Sequence, residues 1–305
     1  MLTEQMLADR KKGIMGSMAA IILGVARWGD LHWLYHWLIG NPTKPILETL
    51  MMKLGNFLEP FVAILYAEET GRKLQKVHRT VWHKKHPYIG GHPDRIIRGD
   101  RNRGLEIKCV FQRGERDWED GVPDYYVAQV MHYALCTGRK VWDFAVLFLA
   151  NAKFEIYTVE FTKEQLDELR LKESEFWNDH ILARKEPDVS AKSTDTLKTL
   201  WKTTDPEAIC VADEVTLHYF NERQTLKKSL EMREMQLKMC ENKLRAHLRE
   251  AETLVAPSGE TLLTYRKGKS GHRRFNFNFK KEKKNEQTHA SHTHGNSHVA
   301  KGVPA

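Results

Sequence analysis

Two short apolar runs separated by a polar turn constrain the fold of this chain more than any other feature. Residues 95–97 (RII) and 105–110 (LEIKCV) flank a turn at 98–104 that is rich in Arg, Gly, Asp and Asn. Such runs on either side of a turn predict a β-hairpin. Side chains alternate along a strand, so Glu106 and Lys108 share one face, and the fold-back can bring Asp94 beside them.

Two acids and a lysine in this arrangement suit metal-dependent hydrolysis of a phosphodiester. Carboxylates bind one or two Mg²⁺ ions, which polarise a phosphate and activate a water molecule. Lys108 would add positive charge for the attacking hydroxide and the phosphorus centre. An exposed, salt-bridged hairpin has the same pattern, so these three residues leave both interpretations open and other motifs must decide.

Composition indicates a soluble globular protein of one domain with appendages, or of two small domains. The 305 residues are 41% hydrophobic and 29% charged, which is ordinary for such proteins. No C-x-x-C pair is present among the cysteines, which argues against a zinc ribbon or an iron–sulfur cluster and fits a reducing cytosol. The cysteines are Cys109, Cys136, Cys210 and Cys240.

The N-terminal region resembles a signal peptide only superficially. Arg10, Lys11 and Lys12 precede an apolar run at 14–26, but that run contains Gly and Ser, acids lie upstream, and no disulfide framework follows. No segment is expected to reach the roughly 18–20 apolar residues of a membrane span. We therefore expect a cytoplasmic protein without a membrane partner.

The positive charge is concentrated at the C-terminal end. From Arg266 onward the chain has ten Lys/Arg and two Asp/Glu, an excess equal to the net charge of +8 for the whole chain. A basic tail can add salt-sensitive, sequence-independent affinity for nucleic-acid phosphates. A solubilising, disordered tail is the alternative, and it is favoured for the last part, 281–305.

Hydrophobic periodicity predicts an α/β (α+β) protein in which helices flank a mixed central sheet. Thr162 is the expected N-cap of one helix, and Gly71 and Gly138 are expected to end two others. Helices are predicted at 1–40, 48–70, 122–137, 162–183 and 206–252, and strands near 76–82, 95–97, 105–110, 141–149, 154–161 and within 253–279.

Seven short motifs occur in order between residues 10 and 177. They are Arg10 with Gly13-Ile14-Met15-Gly16-Ser17, Gly55-Asn56-Phe57-Leu58-Glu59-Pro60, Glu69-Thr70-Gly71, His92-Pro93-Asp94, Leu105-Glu106-Ile107-Lys108, the stretch from Trp118 through Gly121-Val122-Pro123 and Tyr126 to Gln129, and Phe176-Trp177. With these motifs the chain resembles the YqaJ-like viral recombinases, the phage lambda-type exonuclease family of the PD-(D/E)XK nuclease superfamily. One departure is His92, where lambda-type enzymes often carry serine.

The resemblance implies a restriction-endonuclease-like core and a role for each motif residue. Asp94, Glu106 and the Ile107 carbonyl would bind Mg²⁺, with Mn²⁺ as a substitute, and Glu59 would be an outer or second-metal ligand. Lys108 would orient the nucleophile, and Gln129 would position water or Lys108. Arg10 and Ser17 would bind the DNA 5′-phosphate, although a surface arginine and an N-cap serine remain alternatives.

The implied function is a DNA exonuclease that digests linear duplex from its 5′ ends and releases 5′-mononucleotides. The remaining single strand would pass to a single-strand annealing protein in phage-type recombination, and a trimeric ring around duplex DNA would explain processivity. Such a protein would act in the cytoplasm of a bacterial cell and be encoded by a phage or prophage. An endonuclease or structure-specific nuclease of the same superfamily, and a non-catalytic DNA-binding protein on a nuclease fold, are the competing functions.

The expected organisation has five parts. Phe275, Phe277 and Phe279 alternate near the end of the chain, where they either stack on bases or form one buried strand face. The tail histidines, His289, His292, His294 and His298, either bind metal adventitiously or are solvated. The predicted parts are a nuclease domain at 1–185, a linker at 186–205, a helical arm or short coiled coil at 206–253, a basic β-rich segment at 254–280 and a disordered tail at 281–305.

Overall fold

A computed structural model describes residues 4–44, 48–268 and 271–278. The chain divides into two compact units, residues 1–206 and 207–305. Phe279 and the predicted disordered tail lie outside the described residues.

Among the described residues of unit 1, four helices precede the sheet. They are α1 (Glu4–Asp9), α2 (Gly16–Ile22), α3 (Leu31–Ile39) and α4 (Leu50–Thr70). Asp30 caps α3 by accepting from the Trp33 amide at 2.9 Å, and Thr49 caps α4 in the same way through Met52. Gly71 ends α4 in the left-handed conformation that glycine adopts without strain.

A five-stranded mixed sheet forms the centre of unit 1. Its strands are β1 (Leu74–Lys76), β4 (Arg95–Ile97), β5 (Arg103–Val110), β6 (Val141–Phe148) and β7 (Lys153–Glu160), in the spatial order β1-β4-β5-β6-β7, while β2 (Val81–Trp82) and β3 (Gly90–Gly91) form a separate pair. Only β5 and β6 pair in parallel. The predicted β4–β5 hairpin is confirmed. The single strand predicted at 76–82 is wrong, because β1 pairs with β4 whereas β2 pairs with β3.

Helices cover both faces of this sheet, which confirms the predicted fold class. On one face, α4 packs Val62 and Tyr66 against Leu105 and Ile107. On the other face, α5 (Asp124–Thr137) packs against the side chains of β6 that point the opposite way. All eight residues of β6 are buried, as expected for a strand covered on both sides. The helix α6 (Lys163–Phe176), capped by Thr162, packs with α2 and α3 in a third apolar cluster.

Helix α4 corrects one expectation. Its 21 residues are long and apolar enough to cross a membrane by length and composition alone, whereas no segment was expected to reach that length. In the structure, α4 carries Glu59 and Pro60 and packs its Val62–Tyr66 side against the sheet. Leu50, Phe57 and other apolar side chains on the opposite side are exposed.

The segment 186–205, predicted as a linker, is grouped with unit 1. It contains a 3₁₀ turn followed by α7 (Thr194–Leu200). The hydroxyls of Ser190 and Ser193 both donate to Asp30, the residue that caps α3. The segment 186–205 has the Ser, Thr, Lys and Asp content of a linker, yet its serine hydroxyls bind a helix cap of unit 1.

The described part of unit 2 contains one long helix and a small sheet. Helix α8 (Glu214–Leu248) is followed by β8 (Thr253–Val255), β9 (Thr261–Lys267) and β10 (Arg273–Phe277), in the order β10-β9-β8. The helix begins later than the predicted residue 206, because Asp213 caps it through the Thr216 amide at 2.7 Å. Leu226 and Leu230, which lie four residues apart on this helix, are exposed.

Candidate active site

One cleft of about 520 Å³ in unit 1 brings together every residue predicted for the site. The cleft lies where α2, α4 and α5 meet the open edge of the hairpin. The predicted residues that line it are Arg10, Ser17, Glu59, Asp94, Glu106, Ile107, Lys108 and Gln129. Residues separated by more than a hundred positions in the sequence are therefore neighbours around one space. Their roles stay predictions.

The hairpin positions Asp94 beside the backbone of β5. The β4–β5 ladder ends where Arg95 pairs with Leu105, and the next free edge position on β5 is Ile107. There the Asp94 Oδ2 accepts from the Ile107 amide at 2.8 Å. The amide and carbonyl of one strand residue point to the same side of the strand. The Ile107 carbonyl therefore faces the Asp94 side as well.

Glu106, Lys108 and Gln129 form a closed hydrogen-bonded triangle. Lys108 Nζ donates to Glu106 Oε1 at 2.7 Å and to Gln129 Oε1 at 3.2 Å. Gln129 Nε2 donates to Glu106 Oε1 at 2.7 Å. Glu106 is only 2% exposed, and its other oxygen, Oε2, is buried without a hydrogen-bond partner among the described residues.

The site concentrates opposite charges in a poorly solvated space. Burial and the nearby negative charge of Glu106 raise the pKa of Asp94 well above its usual value. Burial alone would lower the pKa of Lys108, but the Glu106 carboxylate, which accepts its hydrogen bond, raises it instead. The Lys108 ammonium also lies 4.5 Å from the centre of the Tyr126 ring, a distance typical of a cation–π contact. Lys108 is therefore held as a cation.

Glu59 lies at the cleft with partners that the sequence did not reveal. Its Oε1 accepts from Arg95 at 2.6 Å and lies 3.5 Å from Lys76 Nζ. Burial would raise the pKa of Glu59, but the hydrogen bond and charge of Arg95 outweigh it and hold that pKa below its usual value. The same Arg95 nitrogen donates to the Asp94 carbonyl at 2.7 Å. Glu59 thus supports the backbone that carries Asp94.

The neighbours of His92 determine which of its ring nitrogens carries the proton. Thr80 Oγ1 donates to Asp9 Oδ2 at 2.6 Å, which uses its only hydrogen. The His92 Nε2 atom, 2.9 Å from the same oxygen, must then donate. Burial and the Arg10 charge lower the pKa of His92 to about 4, so the ring is neutral at pH 7. Arg10 makes no side-chain ion pair within the described ranges, which leaves its guanidinium available to the cleft.

Tyr133 connects α2 to the triangle of Glu106, Lys108 and Gln129. Its hydroxyl accepts from Gln129 Nε2 at 2.9 Å, and its ring fills the space left by two glycines. A Cβ on Gly16 would lie 2.4 Å from the ring, and one on Gly91 would lie 2.7 Å from it. These glycines allow α2 and β3 to approach the ring closely, and α2 also carries Ser17.

The motifs assigned no role to three supporting residues, Arg95, Tyr126 and Tyr133, although Tyr126 belongs to one of them. For the two tyrosines a signal was present, because positions 126, 129 and 133 lie on one face of a helix. No local signal identifies Arg95, since its carboxylate partner is 36 residues away.

The sequence also matches a known family of proteins. The model of the YqaJ-like viral recombinase domain matches residues 5–140. The uncharacterized protein YqaJ of Bacillus subtilis (strain 168) is 30% identical over 260 residues, which cover 83% of this chain and 80% of that protein. The chain belongs to the YqaJ-like viral recombinase family. The resemblance carried by the seven motifs is therefore confirmed.

Solved structures support the fold of this YqaJ-family chain. The alkaline exonuclease LHK-Exo from Laribacter hongkongensis is 24% identical, with a TM-score of 0.50, and the match covers 60% of this chain and 97% of that one. LHK-Exo in complex with dAMP gives the same identity and TM-score and covers 59% and 94%. At this identity the likeness establishes the fold.

Proposed function

We propose that this YqaJ-family chain is a metal-dependent DNA exonuclease that degrades linear duplex DNA from 5′ to 3′ and releases 5′-mononucleotides. The observation that carries the proposal is the convergence of Asp94, Glu106, Lys108 and Gln129 on one cleft. Family membership implies a DNA substrate, and the structurally similar LHK-Exo is an alkaline exonuclease.

The donor set of the cleft fits a hard divalent cation. Glu106 Oε2 is buried without a hydrogen bond in the described residues, which is destabilising for a polar oxygen unless a ligand binds it. Asp94 and the Ile107 carbonyl face the same space, and oxygen donors of this kind suit Mg²⁺ or Mn²⁺. Asp94, Glu106 and Ile107 would hold the ion, with Glu59 as an outer ligand. A bound ion supplies charge that polarises the phosphate and favours hydroxide over water.

The remaining side chains act on the substrate. Lys108 keeps its proton because its pKa is raised, so it serves as a fixed positive charge next to the phosphate and not as a general base. Gln129 fixes the positions of Lys108 and Glu106 through two hydrogen bonds. In the reaction, water forms a bond to phosphorus, the bond from phosphorus to the 3′-oxygen breaks, and that oxygen leaves with a proton.

End recognition would come from the other side of the cleft. The Arg10 guanidinium and the Ser17 hydroxyl can both donate to a 5′-phosphate, and charge-assisted bonds of this type are strong. His92 replaces the family serine here. Its Nε2 proton is directed to Thr80, so Nδ1 keeps a lone pair and the neutral ring cannot attract the phosphate by charge. Arg10 and Ser17 would therefore bind the phosphate largely without it.

We further propose that the active form is a ring-shaped homo-oligomer, with the trimer of the family as the expected size. Support comes from the exposed apolar side chains of α4, where Leu50 and Phe57 are 80% and 78% exposed, since large exposed apolar surfaces often mark interfaces. Light scattering after gel filtration measures this mass directly. We also propose a single-strand annealing protein as the partner, and action in the cytoplasm.

The test is digestion of linear duplex DNA that carries a 5′-phosphate and a label at either the 5′ or the 3′ end. The proposal expects mononucleotides from the 5′ end with Mg²⁺ or Mn²⁺, none with EDTA, and none from a closed circle. Glu106→Ala should be inactive, while Glu168→Ala on the exposed surface of α6 should be fully active. Arg10→Ala should abolish the preference for a 5′-phosphate over a 5′-hydroxyl.

Other outcomes would point to other functions. Cleavage of the closed circle would indicate an endonuclease of the same superfamily. DNA binding without cleavage in either metal would indicate a DNA-binding protein on a nuclease fold. Mononucleotides released first from the 3′ end would refute the polarity but leave the nuclease chemistry intact.

A further inference from the structure

Two histidines on α3 and one glutamate after α6 converge at a second place in unit 1, outside the cleft. His32 and His36 are one helical turn apart, so both rings lie on the same side of α3. Their Nε2 atoms lie 2.6 Å and 2.8 Å from a single atom, Glu186 Oε1. One ligand atom from each of the three residues lies within 4.8 Å of the other two.

His32 is the unusual member of this group. Its side chain is completely buried, yet neither ring nitrogen makes a hydrogen bond within the described residues. The 2.6 Å approach of Nε2 to Glu186 lacks the direction of a hydrogen bond. A buried imidazole without partners is destabilising, and a cation between the nitrogen and the carboxylate would give Nε2 a partner.

The ligand chemistry of the group selects a class of metal. Two histidines at positions i and i+4 of a helix, joined by a carboxylate, are a common zinc-binding arrangement. Metal–ligand bonds of about 2.0–2.1 Å place tetrahedral ligand atoms about 3.3 Å apart. The two short contacts must therefore open by about half an ångström or slightly more. Glu186 can move that far, because its side chain is 52% exposed.

We propose that His32, His36 and Glu186 bind a divalent transition-metal ion of the Zn²⁺ class, which fastens α3 to the chain segment that follows α6. The imidazole ligands distinguish this site from the oxygen-lined cleft, which suits Mg²⁺. Asn41 Nδ2 lies 2.9 Å from His36 Nδ1, and metal binding at Nε2 requires this side-chain amide to turn by about 180°. With its oxygen turned to the ring it accepts the Nδ1 proton, which leaves Nε2 free to bind the metal.

The surroundings indicate a structural role for the ion. The same segment already contacts this region at Tyr35, whose hydroxyl donates to the Arg184 carbonyl at 3.3 Å, and at Asp30 through Ser190 and Ser193. A metal bond at Glu186 would lie between these two contacts. It would stabilise the native state whenever the ion is present, because the unfolded chain does not hold the three ligands together.

The experiment uses the full-length protein with the histidines of the C-terminal tail changed to glutamine, so that the tail does not bind zinc. The changed positions are His289, His292, His294 and His298. After loading with Zn²⁺ and dialysis in the presence of Mg²⁺, elemental analysis measures the retained zinc. Competition with a chromogenic chelator gives the affinity. We expect one zinc per chain.

Substitution of the ligands separates this site from other histidines. His32→Gln and Glu186→Gln should each weaken zinc binding more than about 100-fold, since even outer-shell changes cost 10–100-fold. Glu186→Gln keeps the test valid if the buried His32→Gln variant fails to fold. The matched control is His218→Gln, which removes an exposed histidine that also faces a carboxylate one helical turn away, and it should bind zinc normally.

Thermal unfolding provides the second measurement. Zinc should raise the Tm of the tail-substituted protein and of the His218→Gln control, and EDTA should reverse the increase. The Tm of Glu186→Gln should not respond to zinc. Zinc binding that survives His32→Gln and Glu186→Gln, or no stoichiometric zinc at all, would overturn the proposal. A Tm loss in Glu186→Gln that is equal with zinc and with EDTA would show that the three residues form only a metal-free polar cluster.

Discussion

Asp143 should be one of the largest single contributors to the stability of unit 1. Its carboxylate is completely buried in β6 and accepts four hydrogen bonds. Tyr66 of α4 and Arg72 donate to Oδ2 at 2.5 Å and 2.9 Å. Arg103 of β5 and Thr158 of β7 donate to Oδ1 at 2.6 Å and 2.7 Å. One carboxylate therefore joins α4 to three neighbouring strands.

The size of the effect follows from these partners. Removing one side of a buried ion pair costs about 3–5 kcal/mol, because the remaining groups stay buried without a partner. Arg72 and Arg103 are 37% and 22% exposed and can regain water, so a simple sum of four bonds would be too large. We expect Asp143→Ala to lower the free energy of unfolding by about 3–5 kcal/mol, or the Tm by about 6–20 °C for a domain of this size.

Tryptophan fluorescence measures this effect in unit 1 alone, since all eight tryptophans lie before residue 206. Thr158→Val is the matched control, because it removes one neutral donor to the same oxygen and should cost only about 1–2 kcal/mol. The two substitutions should also be non-additive, since they share an interaction. An Asp143→Ala protein as stable as Thr158→Val, or strictly additive effects, would refute this account of the buried carboxylate.

Two further predictions concern other parts of unit 1. Gly16→Ala should displace the Tyr133 ring, which its Cβ would meet at 2.4 Å, lower the free energy of unfolding in urea by about 1–3 kcal/mol and reduce nuclease activity. Gly55→Ala is the control and should not lower the free energy of unfolding, because its Cβ meets nothing within 4 Å. Equal effects of the two substitutions would contradict the packing argument. Burial opposes the charge of His132, but Glu173 at 2.6 Å raises its pKa well above the usual value. The contribution of the charged His132 to the free energy of unfolding is therefore complete below about pH 6.5. It declines by up to about 1.4 kcal/mol per pH unit as the pH rises toward the folded-state pKa. Urea unfolding from pH 6 to 9 should show this decline, and a slope that Glu173→Gln leaves unchanged would contradict it.

Local patterns were sufficient to predict the parts of the fold that depend on neighbouring residues. The hairpin followed from a turn between two apolar runs, and α4 and α5 followed from helical spacing ended by Gly71 and Gly138. The convergence of Asp94 and Glu106 followed from strand alternation. Each of these inferences uses residues close together in the sequence, where backbone geometry determines which side chains share a face.

Long-range polar contacts could not be predicted in this way. The bond of Glu59 to Arg95 depends on how α4 crosses the sheet, and the bonds of Ser190 and Ser193 to Asp30 depend on where the chain goes after α6. A polar, flexible-looking composition does not distinguish a linker from a segment whose hydroxyls bind a helix cap. Only the arrangement of whole elements determines such pairs.

The position of Tyr133 between α2 and Gln129 has a consequence for product length. In the proposed exonuclease, the distance from the end-binding residues to the reacting bond determines how many nucleotides leave in each cut. Ser17 lies on α2, which rests on the Tyr133 ring at Gly16, and the hydroxyl of that ring is bonded to Gln129 beside Glu106. In that enzyme, this one aromatic ring would set the distance between the 5′-phosphate site and the reacting bond. A larger or smaller side chain at position 133 would then change the released product from single nucleotides to a mixture of lengths.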